Sequence, residues 1–262
     1  QTNTAIVVDG DIDRTTLEFN IDGFHLFPVS TPNGEMFIAN LEDGASILKE
    51  GAPDLDKFSR SIVIPDDKEM EVVVLSSDYV DYENILIAPS KGNLNRSINP
   101  NDVPYSFGEE YEKNSFFPGE LVTLESPYIL RDLRGQSVVF YPIQYNPVEN
   151  ILRIYRSIEV EVRSAGQGLV NVLDRASINP VISKEYLNIY ENHFLNHGND
   201  DRFDYLVDHG NMLIISYGSF IDTVQPLADW KNRKGIPTEI VNISDIGTSS
   251  SAVSSYVQNY YN

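Results

Sequence analysis

Ser90-Lys91-Gly92-Asn93-Leu94-Asn95-Arg96-Ser97-Ile98-Asn99-Pro100-Asn101 is a polar run in an acidic chain, and Arg96 is its chemically distinctive group. A guanidinium is a planar fork of N–H donors that binds a carboxylate through two parallel hydrogen bonds. Carried on a flexible loop of Asn, Gly and Ser, Arg96, between Asn95 and Ser97, is suited to bind a buried carboxylate. A second arginine stands in Arg202-Phe203, at the end of the polar stretch His197-Gly198-Asn199-Asp200-Asp201-Arg202. That stretch reads as an exposed, flexible acidic linker open to proteolysis. The chain has no cysteine, so it supplies neither a disulfide nor a thiolate nucleophile.

Other constellations fall short of the chemistry they resemble. Asp9-Gly10-Asp11-Ile12-Asp13 has the alternating carboxylates that open a calcium loop. Such a loop needs Gly at its sixth position and Glu at its twelfth, where Arg14 and Asn20 stand, so a hairpin turn is expected instead. His193 and His197 are four apart, but Phe194 occupies the place of the Glu in His-Glu-x-x-His and no third ligand is evident. His25, between Phe24 and Leu26, reads as a strand residue, and His209 as a loop residue. No nucleophile elbow and no glycine-rich phosphate loop is present.

The 262 residues are enough for one large domain or two smaller ones. A net charge of −20 opposes binding to nucleic acid, which needs a basic face, and to anionic membrane surfaces. No apolar run approaches the ~20 residues of a membrane-spanning helix. The sequence opens Gln1-Thr2-Asn3 and passes directly into patterned residues without a signal peptide, which leads us to expect a mature or trimmed N-terminus.

The elements that must position these groups divide into two classes. Ala5–Val8, Thr15–Ile21, Met70–Leu75, Ser137–Tyr141 and Ile158–Val162 are β-branched or alternating and are bounded by turn residues such as Asn33-Gly34 and Asn146-Pro147. Many short strands without amphipathic helices predict an antiparallel sandwich or barrel over residues 1–176. Ile182 to Leu195 spaces Tyr186, Ile189, Tyr190 and Phe194 as an amphipathic helix, so 177–202 is expected to be a helical tether. From 203 the order changes. Met212–Ile215 predicts a strand buried on both faces, and Ser219–Arg233 a helix capped by Ser219 and closed by Gly235. Pro237–Val241 predicts a second strand, and Ser249–Tyr261 a second helix. This β-α-β-α order predicts a parallel sheet, and two strands with two helices suggest part of a larger α/β domain.

Several of these segments, in order and spacing, resemble gingipain-type cysteine endopeptidases. The resemblance rests on Leu86–Gly92, Pro104-Tyr105, Phe116–Glu120, Ile129–Asp132, Gly135-Gln136, Gln144–Val148 and Leu152–Tyr155. Asp229–Gly235 followed by Thr238-Glu239 is similar to the start of that family's catalytic domain. The resemblance implies an inhibitory, folding-assisting β-sandwich propeptide, then the tether, then the first part of a caspase-like catalytic domain. It implies that Arg96, flanked by Asn95 and Ser97, enters the primary specificity pocket of the chain's own catalytic domain. It implies that processing occurs after Arg202, before Phe203, with Arg96-Ser97 as a second, slower site. The activity implied for the parent is hydrolysis of protein or peptide substrates after Arg, at a secreted or outer-surface location. The family's catalytic His and Cys lie beyond the matched stretch, so no catalytic residue is assigned and this chain alone should be inactive. No cofactor is implied here, with calcium left open for a complete catalytic domain.

A binding module is the rival reading from the residues. Tyr105, Phe107, Tyr111, Phe116 and Phe117 could form an aromatic platform for adhesion or for carbohydrate.

Overall fold

The computed structural model describes residues 3–174, 181–199, 204–206 and 210–261. Two compact units are present, Gln1–Asp204 and Tyr205–Asn262. The first begins with strands β1 (Thr4–Gly10), β2 (Arg14–Asn20), β3 (Phe24–Thr31), β4 (Gly34–Leu41), β5 (Ala45–Ser46), β6 (Asp56–Val63) and β7 (Lys68–Glu83). After a long excursion come β8 (Val122–Leu124), β9 (Tyr128–Leu130), β10 (Leu133–Phe140), β11 (Ile143–Asn146) and β12 (Ile151–Gln167). Strand β13 (Val181–Ser183) leads into helix α1 (Lys184–His193).

Strand β12 organises one sheet. Along one edge it pairs with β7 over its whole length, with Ile154 opposite Val80 and Arg163 opposite Glu71. Its other edge is shared, first by β11 (Leu152 opposite Tyr145) and then by β2 (Val160 opposite Leu17), with β1 beyond. Strand β10 organises the second sheet in the same way: β6 on one edge, β8 and β9 dividing the other, and β5 outside β6. All these pairings are antiparallel and neither sheet closes, so the unit is a sandwich rather than a barrel.

Alternation in the sequence builds the core between the sheets. Leu17 and Phe19 of β2 and Ile158, Val160 and Val162 of β12 meet Phe58 and Ile62 of β6 and Val138 and Phe140 of β10, all fully buried. Phe19 stacks on Phe140 at 5.1 Å and tilts against Phe58 at 4.7 Å. Each such side chain contributes about 1.5–3 kcal/mol by leaving water. A second cluster joins Ala39 and Leu41 of β4 to Leu55, Ile87, Ile143, Tyr145, Leu152 and Ile154. It underlies the β3–β4 hairpin, which the sequence marks only by its Asn33-Gly34 turn. Strands β7 and β12 run well beyond Met70–Leu75 and Ile158–Val162, because mutual pairing carries polar residues that the pattern alone leaves out.

Helix α1 is shorter than the Ile182–Leu195 periodicity predicts, and the segment after it is fixed to the sandwich. Tyr190 and Phe194 are buried, and the Tyr190 hydroxyl donates to Asp132 at 2.6 Å. Gly135 makes room for the Phe194 ring: a Cβ there would lie 2.4 Å from Phe194 Cε1. Leu195 N–H donates to the Ser61 carbonyl at 3.0 Å. The Asn196 carboxamide then closes the end of β6, accepting from Val63 N–H at 2.7 Å and donating to Val63 C=O at 2.9 Å. His197 is also buried, which corrects the expectation that the exposed break starts there; the first exposed residue is Gly198.

Arg134 ties another segment down. Its guanidinium is fully buried and donates to four backbone carbonyls, of Pro65, Lys68, Val170 and Asn171, at 2.6–2.9 Å. Burial pulls its pKa down, with Asp66 and Asp67 opposing.

Strand β14 (Asp204–Leu206) spans the division between the units, and the second unit contains β15 (Met212–Ser216), α2 (Ile221–Arg233), β16 (Thr238–Asn242), α3 (Ile243–Ile246) and α4 (Ser250–Tyr261). Strands β15 and β16 are parallel, with Ile214 opposite Ile240. Gly235 closes α2 at φ 81°, a conformation that favours glycine. The Ser249 hydroxyl caps α4 by accepting from Ala252 N–H at 3.2 Å. Two expectations are corrected. Ser219 is not the cap of α2: it lies within a 3-10 turn, Gly218–Phe220, that runs straight into the helix. Met212–Ile215 are half-buried rather than enclosed on both faces.

Candidate functional site

The excursion between β7 and β8 carries the predicted loop. Its neck is set by backbone contact at Gly51, whose N–H donates to Ser90 C=O at 2.9 Å and whose C=O accepts from Gly108 N–H at 2.8 Å. Gly51 has φ 79°, and a Cβ there would sit 3.1 Å from Gly108 N, so only glycine lets the two ends of the loop converge. Beside the neck, buried Glu110 pairs with Lys49, and that hydrogen bond holds its carboxyl below the usual carboxylate range. A brace crosses the loop higher up. Lys91 Nζ donates to Pro100 C=O at 2.7 Å and lies 4.2 Å from the centre of the Tyr105 ring.

The tip is a tight turn. Ile98 N–H donates to Asn95 C=O at 2.9 Å, which places Arg96 and Ser97 at the two central positions. Asn95 Oδ1 accepts from Ser97 N–H at 3.1 Å and from Ser97 Oγ at 3.2 Å. Arg96 is exposed. Among the described arginines it alone has no side-chain hydrogen bond, ion pair or ring contact. Arg14, Arg131, Arg153, Arg156 and Arg163 are paired with carboxylates, Arg134 is buried on carbonyls, and Arg60 and Arg233 bond the backbone. A long side chain left free on a braced turn can enter a pocket without breaking any contact.

Arg202 and Phe203 lie outside the described residues, as does His209. The structure brings Asn95, Arg96 and Ser97 together and is silent on the predicted junction. The other motifs act as scaffolding. Gln144–Val148 forms the β11–β12 turn, with Asn146 Oδ1 accepting from Val148 N–H at 3.1 Å. Asp132 receives Tyr190, and Gln136 Nε2 donates to Glu125 C=O at 2.7 Å. Asp9–Asp13 forms the expected hairpin turn, in which Asp11 Oδ1 accepts from Asp13 and Arg14 N–H. His193 and His197 do not converge: His193 Nε2 bonds the Tyr128 hydroxyl at 2.7 Å, and the His197 ring packs 5.8 Å from Tyr190. Among the described residues no cluster of His, Asp and Glu is placed to hold a metal ion.

The aromatics do not form an open platform. Tyr105 is covered by Lys91, Phe116 by Arg153 at 4.0 Å, and Phe117 faces Lys49 at 5.7 Å. Phe107 packs edge-on to Tyr111, whose hydroxyl donates to Ile87 C=O at 2.8 Å. Ring faces already occupied by the chain's own cations have little left for a sugar.

Sequence reasoning missed the Lys91 brace, the Gly51–Gly108 contact and Asp54. Burial raises the Asp54 carboxyl to about 6, with the neighbouring Asp56 adding to the effect. Each depends on how the chain packs, which no local pattern encodes.

A two-sheet sandwich presenting a free arginine, joined to a parallel β-α-β unit, defines a pro-domain followed by part of a peptidase domain. Residues 8–194 match the Propeptide_C25 family and residues 206–262 match peptidase family C25; the chain belongs to this family, the gingipains. It is 35% identical to Gingipain R1 of Porphyromonas gingivalis over 251 residues, 94% of this chain and 25% of that protein. It is 34% identical to Gingipain R2 of P. gingivalis strain W83 over 262 residues, 97% of this chain and 35% of that protein. The chain thus spans about a quarter to a third of these relatives. The solved complex of P. gingivalis RgpB pro- and mature domains superposes with TM-score 0.69 at 35% identity, covering 75% of this chain and 97% of that one. Gingipain K from P. gingivalis, solved to explain zymogenic latency, shares the fold at TM-score 0.55 and 22% identity, covering 63% of this chain and 94% of that one.

Proposed function

We propose that this chain is the zymogen portion of a secreted or outer-surface cysteine endopeptidase that cuts proteins or peptides after arginine. Residues 1–176 form the inhibitory sandwich, 177–202 the tether, and 203–262 the start of the catalytic domain. The sandwich keeps its own catalytic domain latent by placing Arg96 in the primary specificity pocket. Cleavage between Arg202 and Phe203 separates the two parts, and one preference for arginine serves both sites. The chemistry comes from a thiolate and a histidine outside this chain, which has no cysteine.

The single observation that carries this reading is the unpartnered Arg96 at the tip of a braced loop, in a chain of net charge −20 whose other described arginines are engaged. A desolvated bidentate guanidinium–carboxylate contact is among the stronger polar interactions available to such a loop. Delivery on the same chain adds a high effective concentration. The complex described for the RgpB pro- and mature domains supports the same pairing of parts.

The test uses the full-length parent with Arg202→Gln, which blocks the proposed junction. That zymogen should stay silent toward a small arginine amide substrate, and adding Arg96→Ala should release activity without processing. A silent double variant that binds an active-site titrant normally after proteolytic removal of residues 1–202 would overturn the role of Arg96.

A further inference from the structure

An arginine offered to an arginine-specific active site is a substrate unless something keeps it from being cut, and on the reading above Arg96-Ser97 is offered in just this way. We infer that Asn95 is the residue that makes the loop an inhibitor rather than a substrate. Its Oδ1 holds the N–H of Ser97, the nitrogen of the Arg96–Ser97 peptide bond itself, at 3.1 Å, and holds the Ser97 hydroxyl at 3.2 Å. Its carbonyl accepts from Ile98 N–H at 2.9 Å. Three hydrogen bonds accepted by one residue thus fix the bond in the middle of a tight turn.

Peptidases align the residues around the scissile bond as an extended strand, using main-chain hydrogen bonds on either side. The turn excludes that geometry at Arg96 and Ser97, its two central residues, while leaving the Arg96 side chain free to occupy its pocket. Cleavage breaks the Arg96–Ser97 bond as the peptidase nucleophile adds to the Arg96 carbonyl carbon and the Ser97 nitrogen takes a proton to leave as the amine, water then releasing the acyl-enzyme. The Ser97 N–H held by Asn95 Oδ1 keeps that nitrogen within the turn. The Lys91–Pro100 brace below the tip limits how far the turn can open. It also keeps the Ser97 amine beside the Arg96 carbonyl if the bond is broken. Preorganisation of this kind favours binding over turnover.

The role is separable from the fold, because Asn95 is exposed and bonds only within the tip. The experiment digests the whole chain with trypsin, which accepts arginine without depending on inhibition of a gingipain. The rate of cutting at Arg96–Ser97 is read by mass spectrometry relative to cutting after the exposed Lys113. Asn95→Ala should raise the ratio roughly five- to tenfold, as expected for loss of two side-chain hydrogen bonds. Asn95→Asp should stay near the parent value, since a carboxylate oxygen also accepts from Ser97 N–H. An unchanged ratio in Asn95→Ala, or an equal rise in Asn95→Asp, would overturn the inference. Inhibition of a mature Arg-gingipain is measured in parallel. A chain that fails to inhibit while the trypsin ratio still rises in Asn95→Ala counts against the inhibitory function and in favour of the lock.

Discussion

Replacing Asn196 by alanine tests whether the segment after α1 belongs to the sandwich or merely hangs from it. The carboxamide is 1% exposed and makes three hydrogen bonds, two to the main chain of Val63 and one to Thr15 Oγ1 at 3.0 Å. Alanine leaves the Val63 N–H and C=O without these bonds at a buried strand end. Each stranded group costs about 1–3 kcal/mol, so a total near 3 kcal/mol is expected. For a unit of this size that corresponds to a fall of roughly 6–10 °C in Tm. Asn196→Asp keeps the acceptor for Val63 N–H but turns an oxygen toward Val63 C=O and buries a charge, so it should be at least as damaging. The assay is thermal unfolding of the sandwich by circular dichroism, with hydrogen exchange at Val63 as the local readout. A Tm shift below about 2 °C with Val63 still protected would refute the assignment of Asn196 as the closing residue of β6.

Two further perturbations follow from the same contacts. Gly135→Ala drives a Cβ into the Phe194 ring, 2.4 Å from Cε1, and should cost about 1–3 kcal/mol while raising protease sensitivity of α1; unchanged stability would mean the ring moves aside freely. Asp54 is protonated more readily folded than unfolded, its carboxyl raised from 3.8 to about 6, so its destabilising effect is absent below about pH 4 and complete above pH 6. Asp54→Asn should therefore raise the Tm at pH 7.5 by roughly 6–10 °C, equivalent to about 3 kcal/mol, and leave it unchanged at pH 3.5; a gain equal at both values would contradict the burial of the ionised form.

The strands and the change of fold class near residue 200 are legible in the sequence because alternation and continuous apolar runs are local signals. Leu17, Phe19, Val160 and Val162 announce themselves in this way. Arg96 is legible too, as a cation in a polar loop. What makes it available is not. The Gly51–Gly108 neck and the Lys91 brace unite residues whose separation hides their relation. His197 reads as the start of a polar linker, and Asn196 before it carries no local signal, because residue type does not reveal that a carboxamide is spent on a strand end in the sandwich. Arg134 shows the same limit: a charged residue in an acidic chain reads as surface, yet it is fully buried on four carbonyls.

The measurement closest to the central claim is a titration of a mature Arg-gingipain with this chain, using a small arginine substrate and comparing the parent with Arg96→Ala. The account predicts competitive inhibition that weakens at least a hundredfold in the variant, equivalent to about 3 kcal/mol. Equal inhibition by both chains, or none by the parent at micromolar concentration, would contradict it.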